Sequence, residues 1–246
     1  IDDTTEKSLG VSSDEDASVS TALDESRKAL SDNENVLRYP KAALKNVNMT
    51  IKNGELCAVV GRVASGKSTL CSAVLNETFL AKGEITLQGV VAYAAQSPWI
   101  LNATVRENIL FGKPMDEDRY NRVIRACQLE HDLTLLEDGD LTDIGEKGIN
   151  LSGGQKARVS VARAAYADAD VVILDDPLSA LDPEVAAALF NDCIAGELMA
   201  GKTRLLVTNQ LQFLSQCDHV VVLKHGEVME DGSASDLLAK KDSEVN

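Results

Sequence analysis

Hydrophobic and polar positions divide the chain into stretches of different period. Residues 1–35 carry isolated Val and Leu with no sustained repeat, too little apolar surface to offset the entropy of ordering a chain. This stretch reads as a disordered linker, with a short amphipathic helix over Ser20 to Leu30 as the alternative. From Val36 onward short β-like runs follow one another, punctuated by glycine. They are Val47 to Ile51, Leu56 to Val60, Ile85 to Leu87 and Val90 to Tyr93, the last two placed after Gly83 and Gly89 as hairpin strands would be. Between about Ser97 and Tyr166 longer helical patterns take over, and Thr104-Val105-Arg106-Glu107 fits a capping box. β-like runs return at Val171 to Leu174, Arg204 to Val207 and His219 to Leu223, and Asp182-Pro183 supplies a helix with an N-cap acid and a proline at its first position. Gly226-Glu227 reads as a hairpin turn and Ser235 to Leu238 as the final helix. Strands alternating with helices imply an α/β fold with a mainly parallel sheet, interrupted by a helical subdomain over about 97–166.

Composition narrows the function classes. The 246 residues hold 24 Lys and Arg against 39 Asp and Glu, a net charge of -15. Residues 1–35 contain ten acids and three bases, so the tail takes -7 of that charge and the remainder -8. Such a balance disfavours partnership with nucleic acid or an anionic membrane surface, both of the same sign. Cys57, Cys71, Cys127, Cys193 and Cys217 are an odd number with no C-x-x-C pair, and read as reduced thiols of a cytosolic compartment. No apolar run approaches the ~18 residues of a bilayer span, and no signal peptide is visible, so this stretch reads as soluble. The chain begins at Ile1 rather than Met, as a piece excised from a longer protein would. His131, His219 and His225 lack metal-ligand spacing, and the acids at 116–118 and 137–140 lack that of a calcium loop. They read as solvated faces and turns.

One segment carries sharp chemistry. Leu56 to Val60 runs into Gly61, Arg62, Val63, Ala64, Ser65, Gly66, Lys67, Ser68 and Thr69, and then into a helical pattern, which is a P-loop in its strand–loop–helix setting. Its glycines let successive amides point inward, and the following helix N-terminus adds positive potential where a polyphosphate would sit. Lys67 supplies a point charge for the outer phosphates and the Ser68 hydroxyl a ligand for Mg²⁺. A metal also needs a carboxylate from a neighbouring strand end. Val171 to Leu174 emerges into Asp175-Asp176-Pro177, so that Asp175 would hold Mg²⁺ directly or through water, and Asp176 would orient or deprotonate an attacking water. Between these sites lies Leu151-Ser152-Gly153-Gly154-Gln155, ahead of an amphipathic run.

In this order the P-loop, Gln96 within Tyr93-Ala94-Ala95-Gln96-Ser97-Pro98, the Leu151 to Gln155 segment, Asp175-Asp176 and Ser179-Ala180-Leu181-Asp182 resemble the nucleotide-binding domain of ATP-binding cassette transporters, over roughly residues 36–240. Ser97 to Gly112 and the short link from Gly83 to Gln96 are most similar to the first nucleotide-binding domain of the C subfamily, the multidrug-resistance-associated exporters. The resemblance implies a P-loop NTPase with a RecA-like core, an antiparallel β subdomain and an inserted helical subdomain. It makes 1–35 a linker from a preceding transmembrane domain and 241–246 the start of a C-terminal linker, on the cytoplasmic face of a membrane. It implies ATP and Mg²⁺, and a head-to-tail dimer in which each ATP is clamped between one P-loop and the Leu151, Ser152, Gly153, Gly154 and Gln155 segment of the other domain. Gln96 would contact the metal or water and sense the transmembrane domain, and the Ser179 to Asp182 loop would act across the dimer. An adenine-stacking aromatic is expected upstream of the P-loop. Tyr39 is the best candidate, with a strand-end aromatic as the open alternative. Trp99 and Phe111 either receive a coupling helix or belong to the subdomain core.

Two departures bear on activity. The family's active members carry Glu where this chain has Asp176, one methylene shorter, and the usual switch His is replaced by Asn209 in Leu205-Leu206-Val207-Thr208-Asn209. An amide still hydrogen-bonds a γ-phosphate but cannot become cationic. Weak hydrolysis at this P-loop follows, with the intact Leu151 to Gln155 segment serving a partner site. A nucleotide-sensing regulatory domain of a channel or channel regulator in the same subfamily is the alternative. A cassette acting on nucleic acid is disfavoured by charge.

Overall fold

The computed structural model describes residues 42–145, 151–240 and 243, and the described residues from Ala43 onward belong to one compact unit. The reading of 1–35 as linker and the candidate Tyr39 lie outside the described residues. Six strands form one sheet: β1 (Leu56–Val60), β2 (Val91–Ala94), β3 (Val171–Asp175), β4 (Thr203–Val207), β5 (His219–Lys224) and β6 (Glu227–Ser233), in the order β2-β3-β4-β1-β5-β6. Pairings from β2 to β5 are parallel, and β6 closes the edge antiparallel to β5. The β5–β6 turn uses His225 and Gly226 at φ 54° and 80°, the left-handed pair that a tight hairpin needs.

A parallel sheet is covered on both faces, and β1 shows how the sequence accomplishes this. Leu56, Ala58 and Val60 enter one core cluster and Cys57 and Val59 the other, because side chains alternate along a strand. On the second face lies α1 (Lys67–Val74), through Leu70 and Cys71. The first face packs against α5 (Gly153–Tyr166) and α6 (Pro183–Leu189), which runs on into a π-type turn over Phe190–Ile194. Buried Arg204 of β4 stitches the layers, its guanidinium donating to the carbonyls of Lys202, Ile194 and Gly54.

Between β2 and β3 stand α2 (Val105–Leu110), α3 (Glu117–Ala126), α4 (Glu130–Leu135) and α5, so the helical stretch expected there is present. Thr104 and Glu107 form the capping box read from the sequence, and Asp182 caps α6 with Pro183 at its first turn. The final helix, α7, spans Ala234–Ala239. No helix among the described residues is long and apolar enough to cross a membrane.

Two strand readings fail. Val47 to Ile51 packs Val47, Met49 and Ile51 against the second cluster without joining a ladder, and Ile85 to Leu87 is exposed and unladdered among the described residues. Alternation marks an amphipathic extended segment. A strand exists only where a neighbour supplies the hydrogen bonds. The antiparallel pairing in the sheet is that of β5 with β6.

Candidate functional site

Parallel strands deliver their C-terminal ends to one edge of a sheet, where ligands of such folds bind. Here the register aligns Val59 of β1, Val207 of β4 and Asp175 of β3, so the residues that follow each strand converge. After β1 comes the loop Gly61 to Gly66. A Cβ on Gly61 would lie 2.1 Å from the Leu223 carbonyl oxygen, and Gly66 sits at φ 107° as the N-cap of α1. Both positions require glycine on steric or conformational grounds. Arg62, Val63 and Ala64 are exposed at the tip of the loop.

Lys67 is 8% exposed and turns back over this loop, its Nζ donating to the carbonyls of Gly61 at 2.6 Å and Arg62 at 3.1 Å. The ammonium is thereby held at the mouth of the amide cradle. Burial lowers its pKa, and the charges of Asp176 and Asp175 act against that fall.

Ser68 Oγ donates to Asp175 Oδ1 at 3.3 Å, which brings together two of the three residues read from the sequence as metal contacts, 107 positions apart, the third being Gln96. Asp175 is 3% exposed. Burial raises its pKa, the Ser68 hydrogen bond pulls it back, and the Asp176 charge adds to the rise. A buried carboxylate with excess negative potential beside a hydroxyl suits a hard cation, and Mg²⁺ takes one or two protein oxygens together with phosphate oxygens. Ser65 Oγ and Asp176 Oδ1 are buried with no hydrogen-bond partner among the described residues. Such groups are costly unless a ligand or water completes them. The residues present therefore fit a magnesium–triphosphate group.

Asp176 adopts φ 51° and donates its amide to the Val207 carbonyl, fastening the end of β3 to β4. It lines a cavity of about 10 Å³ together with Gln96, Ser160 and Ser179. Gln96, two residues past β2, is thus brought to the Asp176 side of the site. Asn209 lies exposed just after β4, and Thr208 donates its amide to Val59.

Leu151 to Gln155 forms a separate feature. Ser152 is the N-cap of α5, its Oγ accepting from the Gln155 amide at 3.2 Å while Gln155 Oε1 accepts from the Ser152 amide at 2.8 Å. Leu151 is buried, whereas Ser152 and Gly153 are exposed. A Cβ on Gly153 would meet nothing within 4 Å, but one on Gly154 would come to 3.2 Å from both Ala180 O and Leu181 Cδ2. The segment therefore rests on the Ser179 to Asp182 loop at Gly154 and leaves Ser152 and Gly153 exposed at the N-terminus of α5. No hydrogen bond among the described residues ties it to the P-loop of the same chain.

Some supports escaped the sequence reading. Gly226 donates its amide to Ser65 O and accepts from Lys45 N, so the β5–β6 turn props the P-loop from beneath. Gln210 donates to Leu178 O at 3.1 Å and accepts from Gln212, linking the segment after β4 to the loop after β3. Arg163 donates to the carbonyls of Trp99 and Asn108 and lies over the rings of Trp99 and Phe111. These aromatics meet edge to face and stay exposed, which decides against their reading as subdomain core. Apart from Gln212 on Gln210, these hydrogen bonds join residues 20 or more positions apart, which no local pattern marks.

A glycine-curled amide loop, a lysine folded over it, and a hydroxyl–carboxylate pair below it together define a P-loop nucleotide-binding domain. Comparison with known proteins narrows this class. Residues 44–179 match the family described as ABC transporter. ATP-binding cassette sub-family C member 2 of Mus musculus is 54% identical over 202 residues, covering 82% of this chain and 13% of that protein. ABC transporter C family member 12 of Dictyostelium discoideum is 52% identical over 198 residues, 80% of this chain and 15% of that protein. ATP-binding cassette sub-family C member 4 of Homo sapiens is 50% identical over 195 residues, again 15% of its length. The chain belongs to the ABC transporter family, as a nucleotide-binding domain of its C subfamily. It spans about an eighth to a seventh of the length of these relatives.

Proposed function

We propose that this domain holds MgATP as one half of a head-to-tail pair of nucleotide-binding domains in a membrane exporter, and that it is the first of the two. Residues 36–240 form the cassette, with linkers on either side. The amides of Gly61 to Gly66, Lys67 and Thr69 receive the phosphates, Ser68 and Asp175 hold Mg²⁺, and Gln96 contacts the metal or water. Tyr39 stacks on adenine. Held by Ser68 and Asp175, Mg²⁺ would offset negative charge on the phosphates. Asp176 would orient water and Asn209 would reach the γ-phosphate, each less effectively than the Glu and His they replace. Ser152, Gly153 and Gly154 present a second anion-binding surface to the partner's ATP, and closing the two domains on nucleotide drives the transmembrane domains. Exposed Trp99 and Phe111 receive a segment of those domains.

Gly153 carries the pairing. Among the described residues, nothing beyond its own helix backbone and chain neighbours comes within 4 Å of a Cβ placed there. A bare backbone kept at an exposed position with room for a side chain fits the close approach of a second domain's nucleotide. Asp176 and Asn209 carry the asymmetry, since one lacks reach and the other cannot be protonated to a cation. The decisive test is Asp176→Glu with Asn209→His. With a second nucleotide-binding domain present, ATP turnover at this P-loop should rise about ten- to a hundredfold, the scale attached to a 1 Å change in placement. An unchanged rate in the paired assembly would remove the assignment of Asp176 and Asn209 as the limiting groups.

A further inference from the structure

Asp132 of α4 makes a polar contact to the Leu151 to Gln155 segment from outside it. Its Oδ1 accepts from Gln155 Nε2 at 3.0 Å and its Oδ2 from Arg158 Nη2 at 2.6 Å. The Asp132 and Arg158 side chains are 14% and 11% exposed. Gln155 and Arg158 are three residues apart on α5 and share one face, so a single carboxylate bridges the first and second turns of the helix. α4 buries none of its own residues, and the Asp132 carboxylate is held against the Gln155 and Arg158 side chains of α5.

Both ends of the Gln155 side-chain amide are engaged. Its oxygen accepts from the Ser152 amide and its nitrogen donates to Asp132. An amide flip would aim the Gln155 NH₂ at the Ser152 N–H and its oxygen at a carboxylate, two repulsive contacts. The acceptor on α4 thereby selects the Gln155 rotamer that completes the capping box, and the box fixes where Ser152 and the Gly153 amide point.

We propose that Asp132 is a positioning residue for the partner's reaction, acting through Gln155 to set the orientation of the Ser152–Gly153 surface. This rests on the reading that the segment serves a second domain's ATP. A merely structural account would make Asp132 one half of a half-buried ion pair with Arg158. The two accounts separate because a buried pair can be exchanged for apolar side chains without loss of stability, whereas the Gln155 amide still needs an acceptor.

The experiment uses the full transporter and reads steady-state ATP turnover, which reports the partner site, with MgATP affinity at this domain's own P-loop as the check on folding. Asp132→Leu with Arg158→Leu removes both the ion pair and the acceptor. Asp132→Asn with Arg158→Leu removes the ion pair but leaves an amide oxygen for Gln155. Turnover should fall about tenfold in the first, as a lower kcat with KM altered less than twofold, and return to within about threefold of the parent in the second. Equal turnover in the two double variants overturns the proposal. Should the first lose its own MgATP affinity, Gln155→Leu takes its place with the same expected fall, and unchanged turnover there overturns the proposal equally. Gly153→Asp in the same assembly tests the underlying reading. If it leaves turnover intact, the reading fails. If it stops turnover while Asp132→Leu with Arg158→Leu does not lower it, only the role of Asp132 fails.

Discussion

A Lys67→Ala chain should bind MgATP about a hundredfold more weakly than the parent, with its fold unchanged. Lys67 is buried, and its ammonium already meets the Gly61 and Arg62 carbonyls at the loop mouth. A bound triphosphate would take up the remaining donor capacity of that group. Hydrogen bonds to charged groups contribute about 1.5–3 kcal/mol each, and losing one such contact together with the point charge amounts to roughly 3 kcal/mol, or two decades in Kd. The aliphatic stem contributes little to the core beyond Leu70 and Cys71, so melting should move by only a few degrees. Isothermal calorimetry of both chains measures the ratio. Affinities within threefold of one another would mean that the phosphates do not lie beneath Lys67.

Gly153→Asp should separate stability from function in the opposite way. Among the described residues, nothing beyond its own helix backbone and chain neighbours lies within 4 Å of a Cβ at this position, and an acid in the first turn of α5 interacts favourably with the helix dipole, by about 0.3–1 kcal/mol. The variant chain should therefore melt at the same temperature or slightly higher and bind its own MgATP within twofold of the parent. In the full transporter turnover should fall more than tenfold, because in the proposed pairing the new carboxylate would face the partner's triphosphate in place of bare amides. Gly154 offers the contrast. A side chain there must displace the Ala180 carbonyl or Leu181, so Gly154→Asp should lower stability as well. Intact turnover with Gly153→Asp would show that nothing anionic approaches this surface.

How much of this could be read from the chain follows from what local sequence encodes. Strands β1, β3, β4 and β5 were legible because each is an apolar run bounded by a turn signal and buried on both faces. Capping at Thr104 and Asp182 was legible because it depends on residues three positions apart. Val47 to Ile51 and Ile85 to Leu87 misled because an extended amphipathic pattern says nothing about whether a neighbouring strand is present. Lys67, Ser68, Asp175 and Asp176 were singled out from order and residue type, and the sheet register brings the strand ends that carry them together. The second layer was hidden. Gly226 beneath Ser65, Gln210 on Leu178 and Asp132 on Gln155 are hydrogen bonds across 161, 32 and 23 positions or fewer, and no local pattern marks a residue as an acceptor for another so far away. Asp132 in particular reads as an ordinary first-turn acid until α5 is laid against it.

The central claim is that this half-site grips MgATP and splits it poorly, and nucleotide trapping on the full transporter tests it most directly. After loading with ATP labelled on the γ-phosphate and rapid removal of free nucleotide, this domain should retain about one intact ATP over many turnovers of its partner, and Lys67→Ala should abolish the retained label. Recovery of ADP alone at this domain, or phosphate release from it at several per second, within the ordinary range of enzyme turnover, would contradict the account.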